Sequence, residues 1–175
     1  MEYTLKRSAR ARALRLAVHP DGAVVVTAPD FFSLRAIEQF LAKYSKWVER
    51  KVEATKSKHV IYVTREDIAA LKQKALALAQ ERSAHYADVY GVTFKKISIR
   101  AQKARWGSCS HTGNLSFNYK IAALPSHLAH YIIVHEICHL LEMNHSVRFW
   151  RQVTRAIPQH KTVRKELRNT IVIFK

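Results

Sequence analysis

Cysteine is scarce in this chain: two in 175 residues, Cys109 and Cys138. Two thiols cannot build a disulfide framework, so a reducing compartment, the cytoplasm, is the expectation. Long apolar runs are absent too. No stretch of 18 or more apolar residues occurs, which excludes a spanning helix, and no membrane partner is expected. The opening residues, Met1-Glu2-Tyr3-Thr4-Leu5-Lys6-Arg7, lack the apolar segment of a secretion signal. Acidic residues are the third shortage, 13 against 30 Lys and Arg, for a net charge of +17. The imbalance is uneven: residues 1–88 carry 16 basic and 10 acidic side chains, residues 89–175 carry 14 and 3. Such a surface attracts polyanions, whether nucleic acid, nucleotides, acidic proteins or anionic lipid. What is plentiful is apolar: 48% hydrophobic and 10% aromatic residues exclude a disordered chain and suffice for one domain or a core with a small appendage.

Residues 2–28 have strand character. Leu14, Leu16 and Val18 alternate with Arg15 and Ala17, and the turn residues Pro20-Asp21-Gly22 separate them from Val24-Val25-Val26. This is a β-hairpin pattern, and it outweighs the transit peptide that Arg7, Arg10, Arg12 and Arg15 would otherwise suggest. Ile37, Phe40, Leu41, Tyr44, Trp47, Val48 and Val52 recur at helical spacing and predict one helix over 33–54. A polar linker follows over 55–60. A second helix begins at a Thr64/Asp67 capping pair, is striped by Ile68, Leu71, Ala75, Leu78 and Ala79, and stops at Gly91. Strands are expected at 94–101 and 114–121, with 105–113 as a strand edge or loop between them. Pro125 opens a helix to about Met143, apolar nearly all round and therefore buried. Two more helices are expected, from Ser146 to Ile157 and from about Gln159 to Asn169.

The buried helix contains His135-Glu136-Ile137-Cys138-His139. Residues i and i+4 stand one turn apart on the same face, so two imidazoles can share one Zn²⁺. Glu136 sits about 100° round the helix, from where its carboxylate can take a proton from a water at the metal without ligating it. Ten His and nine Glu give roughly 0.03 chance occurrences of such a pattern. Two histidines and a glutamate are also costly to bury without partners, and a metal relieves that cost. For a third ligand, His145 lies at the spacing of the last histidine in His-Glu-x-x-His-x-x-Gly-x-x-His metalloproteases. Six residues beyond His139 is 240° off the face. The chain must therefore leave the helix near Met143-Asn144, with Asn144 in the left-handed conformation and Ser146 capping the next helix. Glu142 stands where that pattern has Gly, which implies a different turn, and it is badly placed to ligate. Glu166 is the rival third ligand. Cys138 points off the histidine face, and Phe149 and Trp150 are expected to pack under the His145 turn. Tyr131, four residues before His135, can approach the site, but packing is the expectation. Trp106 is expected in the core, Gly107 to permit close backbone approach, and residues 103–111 to form a rim for an extended peptide.

Arg105-Trp106-Gly107-Ser108-Cys109-Ser110, then Val134-His135-Glu136-Ile137-Cys138-His139, then Asn144-His145-Ser146-x-x-Phe149-Trp150 together resemble the YgjP-like family of small metal-dependent hydrolases, relatives of SprT-like and WLM-type metallopeptidases. The early Arg7-Ser8-Ala9-Arg10 and Val26-x-Ala28-Pro29 segments are similar to that family as well. The resemblance implies His135, His139 and His145 as zinc ligands and Glu136 as the catalytic acid/base. It also implies an α+β zincin-like fold, a small antiparallel or mixed sheet on the active-site helix. On that view residues 1–58 form a β-hairpin and helix subdomain and 59–175 the catalytic core. Three functions follow as expectations: a zinc peptidase; a nucleoside triphosphate pyrophosphatase, since hydrolysis of UTP to UMP and pyrophosphate is connected with the family; and a nucleic-acid-associated protein with a structural metal.

Overall fold

The structure is a computed structural model that describes every residue except Met1, Arg65, Glu66, Asp67 and Lys175. The expected Thr64/Asp67 cap therefore lies outside the described residues. The chain divides into two compact units, Met1–Val60 and Ile61–Lys175.

In the first unit, β1 (Thr4–Arg7), β2 (Arg15–Val18) and β3 (Val24–Ala28) form a sheet in the order β1-β3-β2. The hairpin is β2–β3, antiparallel, with Val18 opposite Val24. Its turn uses Gly22 at φ +86°, and Asp21 Oδ1 accepts from the Ala23 amide at 3.1 Å. The hairpin pattern does not foretell β1, which runs parallel to β3 on its other edge. Arg7 ties this edge down by donating from Nη1 to the carbonyls of Pro29 at 2.9 Å and Phe32 at 2.5 Å. The single helix expected over 33–54 is two, α1 (Leu34–Lys43) and α2 (Ser45–Lys56), broken at Tyr44 (φ −104°, ψ 10°). Ile37, Leu41 and Val48 are buried on both sides of the break, so the apolar stripe runs straight through it. The expected linker shrinks to Ser57 and Lys58, because α2 reaches Lys56 and β4 (His59–Val63) starts at once.

The second unit is built round an apolar helix. Helix α3 (Ile68–Tyr90) buries Leu71, Ala75, Ala79, Ser83, Ala87 and Tyr90, a four-residue repeat of mostly small side chains. Gly91 at φ +64° ends it in a Schellman motif: the Val92 amide reaches Ala87 O and the Gly91 amide Asp88 O. Strands β5 (Lys96–Arg100), β6 (Gly107–Cys109) and β7 (Asn114–Asn118) form a mixed sheet, β5 parallel and β6 antiparallel to the central β7. The strand expected to reach residue 121 stops at Asn118. There the side chain caps a 3₁₀ turn over Tyr119–Ala123 by accepting from the Lys120 amide at 3.2 Å. Helix α4 (Ser126–Cys138) packs against α3, β6 and β7, with Leu115 and Phe117 of the sheet and Ile133, Val134 and Ile137 of the helix fully buried. Helices α5 (Val147–Ala156) and α6 (His160–Asn169) form where expected and lie against it. Strand β8 (Thr170–Phe174) was not anticipated, although Thr-Ile-Val-Ile-Phe is a plain β-branched run; it pairs with β4. The fold is α+β, with a small mixed sheet packed on α4. No helix among the described residues is long and apolar enough to cross a membrane.

Ile133 is completely enclosed. Ile133→Ala should lower unfolding free energy by about 2–5 kcal/mol, read as a lower urea midpoint at unchanged slope.

Candidate metal centre

Helix α4 ends at Cys138, five residues before the expected Met143, and His139 is its C-cap. The reason is local. The chain turns so that the Glu142 carbonyl comes back under His139 and accepts from its Nδ1 at 3.0 Å. A carbonyl only accepts, so Nδ1 carries the hydrogen and Nε2 keeps its lone pair for a cation. Asn144 does not adopt the left-handed conformation: among the described residues only glycines have positive φ. Instead its Oδ1 accepts from the Ser146 amide at 3.2 Å, and Ser146 Oγ caps α5 through the Phe149 amide at 3.3 Å. These two side-chain turns deliver His145 to the histidine pair.

The three rings converge. One potential ligand atom from each of His135, His139 and His145 lies within 4.8 Å of the others. Nε2 of His135 stands 3.0 Å from Nε2 of His145. Two nitrogens on one tetrahedral ion would be roughly 3.4 Å apart, so the pair needs only a small adjustment to share one. Phe149, fully buried, touches all three rings. It stacks on His139 at 4.5 Å and meets His135 and His145 edge-on at 4.9 and 4.8 Å. Trp150 stacks on His145 at 5.7 Å.

Burial keeps two of the three rings in the form that can ligate. Burial, then the neighbouring His139 and His145, push the His135 pKa down to about 3. Burial likewise lowers His139. Neutral imidazoles are the ligating form. His135 Nδ1 is buried with no partner among the described residues. Three imidazole nitrogen donors, no carboxylate among them, and an exposed side at His145 suit a borderline divalent ion with an open coordination position. The donor set could thus hold a metal.

Glu136 is 6% exposed, and burial raises its carboxyl pKa to about 8, opposed by the charge of Arg105. Together with His135 it lines a cleft of about 340 Å³ walled by Arg105, Trp106, Tyr131, Arg164 and Arg168. Its side chain lies flat on Gly107: a Cβ at that residue would meet Glu136 Cγ and Oε1 at 2.7 Å. Gly107 is not at positive φ, so the requirement for glycine is steric. The rim beside it is fixed by buried Asn118, whose Nδ2 donates to the carbonyls of Gln102 at 2.7 Å and Arg105 at 3.1 Å, while its amide donates to Trp106 O.

Residues 12–70 and 62–170 match the YgjP-like, metallopeptidase domain family. The chain belongs to this family. Among solved structures, it is similar to the metallopeptidase zymogen abylysin of Pyrococcus abyssi, at 24% identity and a TM-score of 0.47 over 54% of this chain and 99% of that one. It is also similar to the metallopeptidase zymogen jannalysin of Methanocaldococcus jannaschii, at 22% identity and a TM-score of 0.45 over 51% of this chain and 91% of that one. No curated protein sequence matches this chain.

The family's metallopeptidase character implies a metal, and the histidine cluster is where this chain could bind one. The rival Glu166 is elsewhere, holding His127 Nε2 at 2.9 and 3.0 Å. Glu142 contributes its carbonyl, not its carboxylate. Cys138 faces Tyr90, away from the rings. Tyr131 does approach, 5.8 Å from His135 between ring centres. Trp106, expected in the core, is half-buried: it packs against the core and also lines the cleft. Sequence reasoning missed Arg105 and Asn118. Asn118 ends β7, inside the strand expected over 114–121, where nothing in the pattern distinguishes it from a solvated residue. Gly107→Ala should displace the Glu136 carboxylate, keep full metal content, and cost about 1–3 kcal/mol. The same substitution in a Glu136→Ala background should cost almost nothing, which a double-mutant cycle by thermal unfolding would measure.

Proposed function

We propose that this protein is a zinc-dependent peptidase in which His135, His139 and His145 hold the ion and Glu136 is the general acid/base. The observation that carries the reading is the convergence of three imidazoles, one of which, His135, lines a cleft together with Glu136. Three ligands rather than four leave a position open, which favours catalysis over a structural site. A divalent ion held there supplies Lewis-acid polarisation of the scissile carbonyl and acidifies water. Glu136 takes the proton of the attacking water on its carboxylate and returns it to the departing amine. Gly107 keeps that carboxylate facing the cleft. Asn118 holds the 102–106 backbone as a fixed wall, along which an extended peptide adds beside β6. Phe149 and Trp150 hold the rings in register and keep bulk water from their inner side.

A second reading has one observation in its favour. Arg105, Arg164 and Arg168 line the cleft, and such guanidiniums would suit the phosphates of a nucleoside triphosphate in a metal-dependent pyrophosphatase.

Purified protein should carry close to one zinc per chain by elemental analysis, and His135→Ala/His139→Ala should carry none. Glu136→Gln should retain the metal and lose about 10²–10⁴-fold in turnover. Casein-derived peptides and UTP, assayed side by side with and without chelator, separate the readings. Chelator-sensitive peptide cleavage is expected; chelator-sensitive pyrophosphate release alone would overturn the peptidase reading.

A further inference from the structure

The cleft beside the metal centre continues into a second groove. Arg164 and Arg168 line both, and the second, about 470 Å³, runs between α5 and α6 with Trp150, Arg151, His160 and Lys161 in its walls. The Trp150 ring is the shared partition: it stacks on His145 on the metal side and on His160 at 5.4 Å, and carries the Arg164 guanidinium 4.9 Å from its centre. Four cationic side chains face the groove and no acidic one does. Residues 147–169 hold seven Lys and Arg against one acid, and that acid, Glu166, is bound to His127. Arg151 and Lys161 are both exposed.

We infer that this groove is a substrate exosite for an acidic peptide segment. This deepens the peptidase reading and rests on it: a chain whose scissile bond lies at His135 and Glu136 passes Arg164, and its Asp or Glu side chains lie against Arg151 and Lys161. Three features choose a peptide over the other polyanions. The shared arginines join the two depressions, of about 470 and 340 Å³, so groups bound in the cleft and in the groove can belong to one chain. A nucleoside triphosphate would be held by Arg105, Arg164 and Arg168 within the cleft alone, leaving Arg151 and Lys161 without a role. Single-stranded nucleic acid is gripped by stacking bases on free aromatic faces, and the faces of Trp150 are taken by His145, His160 and Arg164.

The test uses zinc-loaded full-length protein and internally quenched peptides that share one cleavable core and differ only in a flank, Glu-Glu-Glu or Gln-Gln-Gln, on either side. The acidic flank on one side should raise kcat/KM by about tenfold, mainly through KM, as expected for a few exposed charge pairs. Arg151→Glu/Lys161→Glu should bring that ratio to about one. Arg148→Glu/Lys165→Glu, an equal charge change outside the groove, should leave the ratio intact. Binding of fluorescent hexaglutamate, followed by anisotropy at physiological salt, gives a readout independent of turnover and should be lost in the same double variant. Hexaglutamate binding lost in that variant, with no peptide cleaved, would support the acidic-peptide groove and overturn the peptidase reading. Peptide cleavage without flank preference or hexaglutamate binding would overturn the exosite. Tighter binding of UTP or a single-stranded oligonucleotide through Arg151 and Lys161 would overturn it too.

Discussion

The enclosure of α4 is the constraint on which the second unit depends. A helix apolar on every side must be covered on every side, and α3, the mixed sheet, α5 and α6 supply that cover. The same helix carries two imidazoles and a carboxylate, so the packing that satisfies its apolar residues desolvates its polar ones. Burial accordingly drives the histidines toward neutrality and the glutamic acid toward protonation. One force thus makes the core and conditions the histidine cluster, and neither could be loosened without altering the other.

The end of α4 matters as much as its middle. Had the helix continued through Leu140 and Leu141, His145 would stand on the wrong side. The Glu142 carbonyl, turned back to His139, both stops the helix and orients the ring, and the Asn144 and Ser146 side chains complete the reversal without any left-handed residue. Phe149, the residue bonded to the Ser146 cap, is also the ring on which all three histidines rest, so helix capping and ring placement are one local structure.

Much of this was legible in the residues themselves, because periodicity reports on faces. His135 and His139 one turn apart, the Pro-Asp-Gly hairpin, the glycine stop at 91 and the Ser146 cap are local patterns, and local patterns survive into the fold. What was hidden depends on contacts far away in sequence. The break at Tyr44 leaves the stripe of Ile37, Leu41 and Val48 intact. Leu140 and Leu141 continue the apolar composition of α4 past its true end. The parallel pairing of β1 with β3 and the company of Arg105 with Glu136 come from topology, which no spacing rule encodes.

Asn118 draws these threads to one consequence. A single buried amide joins the end of the central strand to the backbone of the 102–106 segment and to the next turn. That wall of the cleft is therefore an extension of the sheet, not a flap hinged upon it. The segment that carries Arg105 is thereby held in one shape by the strand beneath it.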